Sequence, residues 1–115
     1  MKVSKEPHEY TTEEARQIFL KKVWDYVEYW DKESRADDAR SKLEGLAFSM
    51  LVILDGGATD LPGFAVVPCP HESDKKFHEE EGEPWFRPCG EIEGDIAGSL
   101  HELFHDAGRE KGHIQ

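Results

Sequence analysis

Apolar residues recur every three or four positions between Ala15 and Trp30: Ala15, Ile18, Phe19, Val23, Tyr26, Val27 and Trp30 form one stripe. This spacing predicts an amphipathic helix to about residue 31, with Lys21, Asp25 and Glu28 on its wet face. Thr11-Thr12-Glu13-Glu14 opens it as a capping box, with Thr11 as N-cap and Glu14 reaching back. Residues 1–10 are polar and aperiodic, and a loose arm is expected there. After a charged connection, in which Ser34 and Asp37 offer a second capping pair, helical spacing resumes at Ala39, Leu43, Leu46, Ala47, Met50 and Leu54. From Leu46 to Leu54 this second helix is apolar nearly all round. That pattern predicts a helix end driven into the core, the most buried part of the chain. Asp55-Gly56-Gly57 stops it, Gly56 being able to take the left-handed cap conformation.

The texture changes from Leu61 to Gly90, where Pro62, Pro68, Pro70, Pro84 and Pro88 cluster. Irregular structure is expected here, with one or two short strands carried by Phe64-Ala65-Val66-Val67 and a short helix over Ser73 to Glu81 ended by Gly82. A last helix is predicted from Asp95 as N-cap, burying Ile96, Leu100, Leu103, Phe104 and Ala107 and ending near Gly108. The sum is a mainly α, or α+β, chain: three longer helices, a short helix and minor β structure. It is expected to form a single globular domain over 11–108, with a flexible tail at 109–115.

Composition narrows the partners more than the fold. In 115 residues, 37% hydrophobic content is enough for one core, and 34% charged content keeps the surface wet. The 14 Lys plus Arg against 25 Asp plus Glu give a net charge of −11, which repels nucleic acid and anionic lipid. No apolar stretch is long enough to span a bilayer or to act as a signal core, so a cytoplasmic location is the default expectation. Cys69 and Cys89 are too few for a secreted disulfide framework. Reduced thiols are expected, with a single bridge between them as the alternative.

His101-Glu102-Leu103-Phe104-His105 is a literal H-E-x-x-H on a predicted helix. One helical turn separates the two histidines, so both could reach one Zn²⁺, with Glu102 as general base toward a metal-bound water. With Asp106-Ala107-Gly108 it resembles the opening of the metzincin metallopeptidase motif, which implies a third histidine three residues past the glycine. Lys111 stands there instead, His113 comes two residues late, and Met1 and Met50 cannot supply the family's methionine turn. A third ligand could come from His71, Asp74 or His78, which share one face if their segment is helical. The alternative is a loop in which Asp74 caps a short helix and the histidines are surface residues. A closed zinc site from Cys69, His71, His78 and Cys89 lacks the paired-knuckle spacing of structural zinc. No nucleophile context or phosphate-binding loop is present.

Glu79-Glu80-Glu81-Gly82-Glu83-Pro84-Trp85-Phe86-Arg87-Pro88 sets carboxylates beside two large aromatics. Either Trp85 and Phe86 are presented to a partner steered by the acids, or they fold over the core. Trp24 and Tyr29 lie off the main stripe of the first helix. Two aromatic faces on one helix suggest burial on both sides, which predicts a homodimer interface. Leu54-Asp55-Gly56, Leu61-Pro62-Gly63-Phe64, Pro70-His71, Asp74, Phe77-His78 and Leu100 to His105 together resemble a group of small bacterial proteins of mobile gene-cassette type. The resemblance implies that His71, Asp74, His78 and His101 share a site, and it implies no chemistry for that site. The leading functional expectation is an acidic intracellular accessory or protein-interaction domain, homo-oligomeric, with no cofactor. The rival is a small zinc-dependent hydrolase using His101, Glu102 and His105.

Overall fold

The computed structural model describes residues 7–110 and 112; the remainder of the expected arm and tail lies outside the described residues. Four helices follow in order: α1 Thr12–Lys32, α2 Ala39–Leu54, α3 Asp74–Glu80 and α4 Leu100–Glu110. The capping box at Thr11 forms in full, Glu14 N donating to Thr11 Oγ1 at 3.0 Å and Thr11 N to Glu14 Oε1 at 2.9 Å. α2 is capped by Asp38 and not by the expected Ser34 and Asp37 pair, and Ser41 N donates to the Asp38 carboxylate at 2.6 Å.

α1 is the hub. It packs on α2 along one side and on α4 along another, while α2 and α4 do not touch and α3 meets no other helix. The core is Phe19, Leu20, Val23 and Trp24 from α1, Ile53 from α2, Ala107 from α4, and Ala58, Leu61 and Ile96 from the connections. Two tryptophans seat the flanking helices on glycines. Trp24 lies flat on Phe104, ring centroids 4.3 Å apart, and covers Gly108; Trp30 covers Gly45 and donates from Nε1 to Ser49 Oγ at 2.9 Å. A Cβ at Gly108 would stand 2.5 Å from Trp24 Cε2, and one at Gly45 2.6 Å from Trp30, so absence of a side chain sets both helix approaches. Of the two aromatics off the main stripe of α1, Trp24 is thus covered by α4 within the chain, while Tyr29 stays exposed.

Three expectations need correcting. Among the described residues no strand exists, so the fold is all-helical and the minor β structure is absent. Phe64-Ala65-Val66-Val67 is extended, but Phe64 N donates to Leu54 O at 2.9 Å and its ring meets Phe19 edge-on. Prolines close both ends of the run, and no second β-rich segment offers a ladder. Next, α4 begins at Leu100 and not after Asp95. Asp95 accepts from Ala97 N at 2.9 Å, and Gly98 at φ 116° interrupts the helical path, while Ile96 is still buried; at the other end α4 runs through Gly108 to Glu110. Finally, Cys69 and Cys89 are paired as a disulfide, Cα atoms 5.4 Å apart, closing a loop that contains α3; the reduced-thiol expectation fails because the chain doubles back on itself between Pro68 and Pro88. Among the described residues no helix is long and apolar enough to cross a membrane.

Candidate interaction surface

The H-E-x-x-H residues sit on α4, where the core stripe fixes their direction. Ala107 and Gly108 face α1, so His101 and Glu102 project outward, and His101 Nε2 lies 4.0 Å from Glu102 Oε1 with 86% of the His101 side chain exposed. His105 turns the other way along the flank, its ring 5.2 Å from Phe104 and 6.3 Å from Trp24. The upstream candidates are occupied locally. His71 Nδ1 is 2.7 Å from Ser73 Oγ, and Asp74 accepts from the His71 backbone N–H at 3.0 Å, closing the turn that starts α3. His78 Nδ1 is 3.1 Å from Glu83 Oε1. Among the described residues no three His, Cys, Asp or Glu side chains gather where they could hold a metal, and His113 lies outside those residues. The thiols of the Cys69, His71, His78, Cys89 alternative are spent in the disulfide. As placed among the described residues, His71, Asp74, His78, His101 and His105 do not form the converging donor set that a zinc centre needs.

The aromatics divide. Trp24 is 7% exposed, and its Nε1 donates to Phe104 O at 2.7 Å, so it is a core residue and not a partner anchor. Tyr29, Trp85 and Phe86 are exposed, Lys75 Nζ lying 5.9 Å above the Trp85 ring. Trp85 and Phe86 do not fold back over the core.

The feature that sequence reasoning passed over is the outward side of α2. Ile53 is 0% exposed and Ser49 is buried, as a core-facing helix requires, yet Leu43 and Phe48 are each 67% exposed and Leu51 60%. Ala47 and Met50 are exposed between them, and a shallow groove runs along Arg40, Leu43, Glu44 and Ala47. The expected deep burial of Leu46 to Leu54 thus holds for one face alone. The reason is topological: among the described residues α1 is the only helix that reaches α2, and it covers one side. The signal in the sequence was the apolar character all round, which equally marks a helix with two partners.

Electrostatics separate this face from the rest of the molecule. Residues 55–99 hold eleven Asp and Glu against three Lys and Arg, whereas α2 carries Arg40, Lys42 and the single acid Glu44. Arg40 pairs with Glu44 at 2.9 Å on α2 itself, and other surface charges pair too: Lys22 Nζ reaches Asp60 at 2.7 Å, which raises the lysine pKa, and Arg35 grips Glu33 and holds its carboxyl down to about 2.

No family model, curated protein or solved structure matches this chain.

Proposed function

We propose that this chain is a protein-interaction domain whose binding surface is the outward face of α2. The carrying observation is the exposure of Leu43, Phe48 and Leu51 on one regular helix, contiguous with Ala47 and Met50. Single exposed leucines are ordinary on any surface. A continuous apolar face of large side chains beside a groove is what marks an association site. The acidic segment supports the same reading in a second role. Its charge excess, with Trp85 and Phe86 exposed, keeps the rest of the surface hydrated and selects against anionic partners.

A photoreactive phenylalanine analogue at Phe48, expressed in cells and irradiated, tests this directly. Covalent capture of a protein from Phe48, and not from the same analogue at exposed Asp37, is expected. Equal, weak capture from both positions would remove the proposal.

A further inference from the structure

We infer that the occupant of the α2 face is a second copy of this chain, packed antiparallel to the first with Ala47 on the two-fold axis. The inference rests on the interaction-domain reading above and names its partner. A two-fold interface requires that when one residue meets a second, the second also meets the first. The α2 pattern satisfies this. Leu43 and Leu51 stand four residues to either side of Ala47, so about a helical turn separates each from the axis. In an antiparallel pair Leu43 of each copy meets Leu51 of the other, and the small Ala47 lets the two helices approach closely. The groove along Arg40, Leu43, Glu44 and Ala47 then receives the opposing leucine, and Phe48 lies beside the axis next to its own counterpart.

Charge points to the same arrangement. α2 has its N-terminal end capped by the Asp38 carboxylate, but no basic residue stands in its last turn, so the carbonyl end lacks a cation of its own. Arg40 stands exposed near the N-terminal end, 2.9 Å from Glu44 of the same helix, and Asp55 caps the C-terminal end. Antiparallel pairing sets each exposed Arg40 against the carbonyl end and Asp55 of the other copy, which supplies that end with the cation it lacks. It also joins two chains of charge −11 through an element with two basic residues and one acidic residue, leaving the acidic residues that follow Asp55 outside the contact.

The test is sedimentation equilibrium of the purified chain from low micromolar to high micromolar concentration. The wild type is expected to reach the mass of two chains, and a Leu43→Asp, Leu51→Asp variant to stay at one with its helical circular dichroism unchanged, since both leucines are mostly exposed. Arg40→Glu changes two symmetry-related charge contacts at once and should weaken the dimer by about tenfold or more. Adding Asp55→Lys to it should restore the affinity, which a merely structural role for either residue does not predict. A wild type that remains monomeric, or a dimer indifferent to the leucine substitutions, overturns the inference. Photo-capture at Phe48 of other proteins alone overturns the self-pairing while keeping the interaction domain; no capture removes both.

Discussion

Replacing Gly108 by alanine adds one methyl to a helix contact with no room for it. Helix propensity alone favours the change by about 1 kcal/mol, because Gly108 lies inside α4. Packing opposes it. The new Cβ would lie 2.5 Å from Trp24 Cε2, 2.7 Å from Cζ2 and 2.9 Å from Nε1, all inside van der Waals contact. Trp24 cannot slide away cheaply: it is stacked on Phe104 at 4.3 Å and anchored by its 2.7 Å hydrogen bond to Phe104 O. Overpacking of this kind costs roughly 1–3 kcal/mol, and stretching the indole hydrogen bond costs about 1 kcal/mol more. The two opposing contributions leave a net loss of about 2 kcal/mol, or roughly 10 °C in Tm for a domain of this size. Urea unfolding followed by tryptophan fluorescence and by circular dichroism measures it. A G108A variant as stable as the wild type, or more stable, would refute the packing of α4 on α1 described above.

Gly45→Ala should behave alike against Trp30, again lowering the urea midpoint, whereas Gly82→Ala, at a φ of 70° with open space around it, should cost about 1 kcal/mol through backbone conformation alone. Reducing the Cys69–Cys89 bridge, or a Cys69→Ser, Cys89→Ser variant, should open residues 70–88 to limited proteolysis while the α1, α2 and α4 helical signal persists, because α3 packs on no other helix. Proteolysis mapped by mass spectrometry decides it. The carboxyls of Glu14 and Asp38 are held below their ordinary values, Glu14 mainly by the Thr11 backbone N–H and Asp38 by that of Ser41. Their stabilisation is therefore complete above the unfolded values of 4.5 and 3.8 and is lost as pH falls through the lowered folded ones. A pH series of urea midpoints should decline over that acid range, and Glu14→Gln with Asp38→Asn should flatten the decline. Added Zn²⁺ should leave the Tm of the wild type and of a His101→Ala, His105→Ala variant alike, as no third ligand joins the two histidines among the described residues.

The helices were legible where periodicity met a chemical stop. Thr11 and Glu14 placed the start of α1, and Asp55-Gly56-Gly57 placed the end of α2 with Gly56 at φ 90°. The hidden parts depended on what lay across space. Phe64 to Val67 has strand composition but no partner, so it stays single. Gly108 reads as a helix terminator until Trp24 is seen above it. Trp24 and Tyr29 looked like companions on a second face, yet α4 covers Trp24 and leaves Tyr29 in water. The α2 face is the most instructive miss. An all-round apolar helix says how much surface wants covering and not which chain supplies the cover.

Carbene footprinting of Phe48 and Leu51, compared between dilute purified protein and intact cells, tests the binding face most directly. Strong labelling in dilute solution and clear protection in cells, with Phe86 as an exposed internal reference, is the outcome expected of a face that another protein covers. Equal labelling in both settings would contradict the account, because the α2 face would then have no occupant.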